Sequence, residues 1–145
     1  MTFLTKDIRD HLAGSVEIAN AFGERIHDGA IPQGINYAQA IVINLTFNDP
    51  EYYLGGESGT HRSIVQIDVW TDGNGHAVRL NELAELVRNR LSGYRGQFGE
   101  GCYGTSRMIR NDALSAPPVD GSNLHRRRQS MDFEIIHTAD VPTFA

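Results

Sequence analysis

Histidine and cysteine are the residues of this chain with the most potential for metal binding or covalent catalysis. The six histidines are scattered, without the short spacings typical of metal sites, so they are interpreted as surface side chains. They are His11, His27, His61, His76, His125 and His137. The single cysteine, Cys102, has no histidine that the sequence places beside it, and a catalytic thiol needs such a base. The sequence therefore predicts no metal site, no cofactor and no catalytic residue.

The basic residues narrow the possible chemistry further. Lys6 is the only lysine, and the other twelve basic residues are arginines. A phosphate-binding loop needs a lysine after its glycines, and no glycine precedes Lys6. The stretch 73–75, Gly-Asn-Gly, lacks the rest of a dinucleotide fingerprint and is interpreted as a turn. Arginine suits planar, bidentate pairing at protein interfaces.

One basic cluster, Arg126-Arg127-Arg128, opens a predicted strand. Strand alternation sends Arg127 to one face and its two neighbours to the other, so the three do not form a continuous patch. A structural role at the strand entry or a subunit contact is therefore favoured over phosphate binding. The formal net charge of −5 also argues against a chain that coats nucleic acid.

Length and composition are typical of a single domain over residues 1–145. A lone cysteine cannot form an internal disulfide, so folding in a reducing cytoplasm is expected. No run approaches the roughly 20 apolar residues of a membrane span, and residues 1–7 lack the apolar core of a signal peptide. We expect no membrane association.

A strand and the helix after it organise the rest of the chain. In 63–71, Val65, Ile67 and Val69 fall on one face of a strand. A turn at 72–75 leads to an apolar stripe at helical spacing, which Gly93 ends as a left-handed terminator. The stripe comprises Leu80, Leu83, Ala84, Val87 and Leu91.

The remaining patterns predict one earlier helix and three more strands. The helix carries an apolar stripe to Phe22, and Gly14-Ser15 could divide it, with Ser15 capping a second piece. The other strands are predicted over 37–47, 105–112 and 126–137. The expected fold class is α+β, an antiparallel sheet of about four strands with two helices on one face, in the order helix-strand-strand-helix-strand-strand.

Two segments are expected to lie outside this body. Residues 48–61 are predicted to form a projecting hairpin tip, and residues 138–145 a loosely held tail. Tyrosines in the tip either contact another protein or fold back onto their own sheet. The candidate interface combines this tip with one sheet face and the basic strand entry. Its predicted residues are Tyr52, Tyr53, Leu54, Ile64, Trp70, Arg126 and Arg128.

Three stretches carry a resemblance to a known family. Arg25-Ile26 precedes a loop with Pro32-Gln33-Gly34, residues 63–71 read S-I-V-Q-I-D-V-W-T, and a helical run from Ala77 ends at Gly93. In this order they resemble the tail terminator, or tail completion, proteins of long-tailed bacteriophages and gene transfer agents.

The resemblance implies a non-enzymatic virion structural protein of the tail-neck region, assembled in the host cytoplasm. Such proteins form a hexameric ring of identical subunits on the head-proximal end of the tail tube. The ring contacts the tail tube protein, ends tube growth and offers a surface to the head connector or another neck protein. DNA would pass through its lumen without sequence-specific binding.

Other functions remain open at the level of sequence. A different neck component, such as a head-closure protein, would contact the portal side instead. A small enzyme or ligand-binding α+β domain would need a deep pocket with convergent polar groups. An RNA-binding sheet would display several aromatic side chains on its open face, where the sequence places only Trp70.

Overall fold

The computed structural model describes residues 4–29, 39–71, 77–116 and 126–143. Within these residues the chain forms three helices and six strands. The elements are α1 (Leu4–Ala13), α2 (Val16–Phe22), β1 (Ile26–Asp28), β2 (Gln39–Tyr53), β3 (Gly56–Thr71), α3 (Ala77–Leu91), β4 (Arg95–Gln97), β5 (Tyr103–Ala116) and β6 (Arg126–Thr138). The predicted turn over 72–75 lies outside the described residues.

The strands form one mixed sheet in the order β1-β2-β3-β6-β5-β4. β1 pairs parallel to β2, and the other neighbouring strands pair antiparallel. The predicted fold class is therefore wrong: the described chain is mostly β, with six strands and three helices in place of four antiparallel strands and two helices. The additional strands, β1 and β4, have three residues each, too few for an alternating pattern.

The third helix comes from a break in the first predicted one. α1 ends at Ala13, and α2 begins after Ser15, whose hydroxyl accepts a hydrogen bond from the Ile18 amide at 3.4 Å. This is the capping role in which serine satisfies an amide that has no partner inside the helix. Gly14 disfavours continuation of the helix, so the chain starts again at the cap.

The hydrophobic core lies between the helices and one face of the sheet. All five residues of the predicted α3 stripe are buried, and Gly93 ends the helix at φ 77°, as its type predicts. From the sheet, Val65, Ile67 and Val69 of β3 meet this stripe together with alternate residues of β6. The β6 contribution is Met131, Phe133 and Ile135.

The β2–β3 hairpin is longer than the sequence pattern indicates. β2 continues to Tyr53 and β3 begins at Gly56, so most of the segment 48–61 is paired strand with a tight turn at its end. β6 pairs with β3 as far as Thr60, and just beyond it the Ala139 amide donates to the Gly59 carbonyl at 2.9 Å. β5 likewise extends to Ala116, beyond the predicted strand over 105–112.

The described helices include none that is both long and apolar enough to cross a membrane.

Candidate assembly surface

The sheet has one face covered by helices and one face without them, which we call the open face. The even-numbered residues of β3 and β6 lie on the open face. The register places Ile64 beside Glu134, Gln66 beside Asp132 and Asp68 beside Ser130. Trp70 lies opposite Arg128 in the same register. The predicted residues Ile64, Trp70 and Arg128 therefore share this face.

Arginine–carboxylate pairs cross the open face. Glu134 accepts hydrogen bonds from Arg62 at 2.8 Å and from Arg107 at 3.1 Å, so one carboxylate from β6 joins arginines from both neighbouring strands. These bonds, that of Arg62 foremost, lower the pKa of Glu134. Arg110 bonds both Asp132 and Asp112 at 2.9 Å. The face therefore presents alternating charges in place of a single-sign patch.

Asp68 is the buried member of this network. Its carboxylate lies 3.5 Å from Arg128 and accepts hydrogen bonds from the Gln66 amide at 3.1 Å and 3.2 Å. The Arg128 guanidinium also lies 5.1 Å from the centre of the Trp70 ring, within cation–π range. Arg128 thus links a buried charge to an aromatic side chain. The backbone of Arg126 opens β6, and its side chain lies outside the described part of the chain.

The tip residues form a second, separate group. Tyr52 and Tyr53 are 67% and 63% exposed at the end of β2, and Leu54 in the turn is fully exposed. Two tyrosines that had folded back onto their own sheet would be largely covered. The structure therefore brings together the predicted open-face residues and keeps the three tip residues apart from them.

Phe47 is a surface residue that sequence reasoning assigned to the core. The strand pattern predicts that Phe47 follows Ile41, Ile43 and Leu45 inward, but a register shift between Leu45 and Phe47 moves it to the open face. There it is 41% exposed and the Arg62 guanidinium lies 5.5 Å from its ring centre. A bulge adds one residue and reverses every later inward position, and no residue type in this stretch signals it.

Two buried histidines have structural roles. His137 Nδ1 lies 3.0 Å from the Thr138 carbonyl and Nε2 lies 2.8 Å from the Ser63 hydroxyl. Because a carbonyl only accepts, Nδ1 donates to Thr138, while the Ser63 hydroxyl that contacts Nε2 donates its own proton to Asn48 Oδ1 at 2.8 Å. His11 Nε2 lies 3.1 Å from the Arg90 carbonyl, and its ring packs against Tyr94. Their interpretation as surface side chains is wrong for these two.

Cys102 is unsuited to catalysis. Burial, followed by the neighbouring Asp7 carboxylate, raises the pKa of the Cys102 thiol to about 12, so the reactive thiolate is scarce at neutral pH. Asp7 in turn accepts a hydrogen bond from the Cys102 amide at 3.1 Å and so holds the β4–β5 turn against α1. This contact makes Asp7 a structural carboxylate.

No group of three or more metal-ligating side chains converges within the described residues. A cleft of about 290 Å³ lies beside α1, where Arg9 and Asp10 line it together with Glu24. That volume is just under the roughly 300 Å³ at which ligand pockets begin. Asp10 at this cleft forms an exposed ion pair with Lys6 at 2.9 Å.

A family model described as tail completion protein gp17 matches residues 6–137. The chain belongs to this family. The predicted resemblance is thereby confirmed, and the protein is a structural component of a phage tail or neck.

One solved structure shows that this tail completion protein shares its fold with a virion component. A chain from the structure "Virion of native gene transfer agent (GTA) particle" superposes with a TM-score of 0.61 at 18% sequence identity. The match covers 92% of this chain and 94% of that chain. No curated protein sequence is detectably similar to this one.

The buried histidines predict how the stability of this tail completion protein depends on pH. Burial lowers the pKa of His137 and of His11, more than their carbonyl hydrogen bonds raise it. The unfolded chain, whose histidines titrate near pH 6.5, therefore binds protons first as the pH falls. This contribution to stability is complete above about pH 6.5 and is lost at lower pH.

We therefore expect a lower urea midpoint at about pH 5.5 than at about pH 7.5, a window above the titration of most carboxylates. The control is His137→Gln, because glutamine forms hydrogen bonds but does not titrate in this range. Its midpoint should vary less with pH. An equal or steeper dependence in His137→Gln would contradict the role given to this histidine.

Proposed function

We propose that the protein forms a hexameric ring that caps the head-proximal end of the phage tail tube. The ring ends tube polymerisation and provides the surface to which the head connector or another neck protein binds. Family membership supports an assembly role in the tail, and the shared fold with a gene transfer agent virion component agrees with it. The observation that carries the proposal is the exposed end of the β2–β3 hairpin.

The hairpin end has the composition of a contact surface. Tyr52, Tyr53 and Leu54 are consecutive and exposed, and Gly56 at φ 125° closes the turn behind them. Covering a large apolar side chain contributes about 1.5–3 kcal/mol, so a partner that buries these three gains substantially. Tyrosine also combines a large contact area with few rotatable bonds, as interface hot spots do. The hairpin end is proposed to contact the neighbouring subunit or the tube below.

A ring of identical subunits needs two different patches on each copy, because a rotation other than two-fold brings unlike surfaces together. The hairpin end offers one patch, and the open face with Ile64, Trp70 and Arg128 offers another. The two are chemically unlike, since one is aromatic and the other carries paired charges. This difference satisfies the requirement for a closed ring.

The charge distribution suits a channel through which DNA passes. The chain has a formal net charge of −5, and the open-face arginines are already in ion pairs, Arg62 and Arg107 with Glu134 and Arg110 with Asp132 and Asp112. Arginines already paired with carboxylates bind phosphates weakly. A ring of this composition lets DNA pass without holding it.

The hairpin contact is tested by replacing both tip tyrosines with serine. We expect the Tyr52→Ser, Tyr53→Ser variant to fold normally, because both side chains are exposed, but to lose most of its binding to tail tubes. Electron microscopy of tubes mixed with the protein measures the fraction of capped ends. The matched control is Val16→Ser, since Val16 is 75% exposed on α2 and lies outside the sheet.

Capping by the tip variant at the level of the control would overturn the contact. Mixing the unmodified protein separately with tubes and with filled heads distinguishes the proposed cap from a head-closure protein. Rings on tube ends support the cap. Binding to heads alone would assign the protein to the other side of the neck.

A further inference from the structure

The sheet has two long outer strands whose outer sides are only partly occupied. β1 pairs with β2 over Ile41–Ile43, and β4 pairs with β5 over 103–105. Among the described residues, no strand pairs with the outer side of β2 after Ile43 or of β5 after Ser106. We call these stretches, 44–53 and 107–116, the β2 edge and the β5 edge. An unpaired edge is a template for another strand.

The backbone direction at the β2 edge follows from its bonds to β1. The Ile41 amide donates to the Arg25 carbonyl, and the Ile43 carbonyl accepts from the Gly29 amide, so these groups face outward. Along a strand, the backbone groups of successive residues point alternately to the two neighbouring strands. When this alternation is followed past the register shift after Leu45, the backbone groups of Pro50 also face outward. A proline at that position removes no hydrogen bond within the sheet, as is usual for proline on edge strands.

The β5 edge has the same organisation. The Ser106 amide donates to the Tyr94 carbonyl, and its carbonyl accepts from the Gly93 amide, both on the outer side of the strand. Through the register shift between Met108 and Arg110, alternation turns the Asn111 and Ala113 backbone groups outward. Both residues are exposed. The β5 edge thus presents donors and acceptors over several consecutive residues.

The two edges complement each other in charge. The β2 edge carries two exposed carboxylates, Asp49 and Glu51. The β5 edge carries two arginines, Arg107 with a 71% exposed side chain and Arg110, against one carboxylate, Asp112, so this edge is net positive. Opposite charges on facing strands favour one particular pairing over self-association of like edges.

Exposed apolar side chains accompany these charges on both edges. Leu45 and Phe47 are exposed on the β2 edge, and Ile109 is exposed at the irregularity of the β5 edge. Irregularities, a proline and charges are also the features by which proteins prevent unspecific edge pairing. A partner strand must therefore fit these irregularities, and the opposite net charge of the other edge favours that edge of a second copy as the partner.

We propose that adjacent copies of this chain join edge to edge, with the β2 edge of one copy antiparallel to the β5 edge of the next. β2, β3, β6 and β5 alternate in direction, so β2 and β5 run oppositely within one subunit. Rotation of a subunit about an axis parallel to the strands does not change the strand directions. The β5 edge of one copy and the β2 edge of the next are therefore antiparallel, and strand directions keep alternating across the junction. The inference rests on the proposed ring and specifies its subunit contact: the sheets of all copies form one continuous barrel.

Disulfide trapping tests this junction. The background carries Cys102→Ala, and Ala113→Cys on the β5 edge is combined in turn with Leu45→Cys or Asn48→Cys on the β2 edge, because the register puts all three side chains on the helix-covered side of the sheet. Within one subunit these strands are three spacings apart, about 14 Å, beyond the reach of a disulfide. Crosslinks therefore report contacts between copies. The variants are oxidised in the presence of tail tubes, and rings are counted independently by electron microscopy.

We expect at least one double variant to give a ladder of covalent oligomers that ends at the ring size. Mixing its two single variants should give dimers only, and each single variant alone should stay monomeric on a denaturing gel. The matched control joins Ala113→Cys with Val16→Cys, which is exposed on α2, and should give no ladder.

Rings without a ladder in any double variant would overturn the edge contact and leave the capping proposal standing. Crosslinking of a single variant with itself would overturn it too, because that requires like edges to meet. Absence of both rings and crosslinks would overturn the edge contact together with the proposed function.

Discussion

Leu83→Asp is expected to unfold the protein. Leu83 is completely buried in the α3 stripe that covers the sheet. An aspartate there places a charge without a partner in the core, which costs several kcal/mol against a typical total stability of about 5–15 kcal/mol. Circular dichroism should show loss of the cooperative urea transition, or a transition moved to much lower urea.

The control for this substitution lies two residues earlier on the same helix. Asn81 is exposed, so Asn81→Asp adds the same charge on the solvent side and should change the free energy of unfolding by no more than about 0.5 kcal/mol. If Leu83→Asp unfolded cooperatively at the midpoint of Asn81→Asp, the packing of α3 on the sheet would be refuted.

Arg128→Met is expected to destabilise the protein by about 3 kcal/mol, the lower end of the cost of breaking a buried ion pair. The substitution keeps the aliphatic bulk but leaves the buried Asp68 carboxylate without its cation at 3.5 Å. It also removes the guanidinium that lies over Trp70. We use the lower end because the Arg128 side chain is itself about one-third exposed and partly screened by solvent.

A double-mutant cycle separates the charge from the packing. Asp68→Asn combined with Arg128→Met removes both charges, so the pair should be clearly more stable than Arg128→Met alone. Urea denaturation at neutral pH provides the four free energies of unfolding. Additive effects of the two substitutions would mean that Asp68 and Arg128 do not interact.

Elements with a sustained pattern could be predicted from the sequence. The α3 stripe from Leu80 to Leu91 repeats over about three turns, and alternation over Val65, Ile67 and Val69 identifies both faces of β3. The open-face placement of Ile64, Trp70 and Arg128 follows from the same alternation in β3 and β6. In such segments several residues indicate the same periodicity, so one residue that departs from the pattern does not obscure it.

Elements whose pattern is short or interrupted could not be predicted. β1 and β4 offer three residues each, and Ile26–Asp28 becomes a strand because Ile41–Ile43 lies beside it. The shift after Leu45 reverses the inward positions of β2 and takes Phe47 to the surface. The polar residues and glycines over 48–61 are typical of a loop. Their backbone nevertheless forms an antiparallel two-stranded ribbon, because the ends of β2 and β3 pair with each other.

The sequence by itself determined the assembly family, the helix that closes the core and the lack of a recognisable catalytic motif. These depend on residue type and local spacing, which are fully present in the chain. Only the tertiary structure decided how many strands the sheet has, which side chains share the open face and where its outer edges stay unpaired. Those properties arise from pairing between distant segments, such as Arg62 and Arg107 meeting at Glu134, and no local pattern encodes which partner a strand will find.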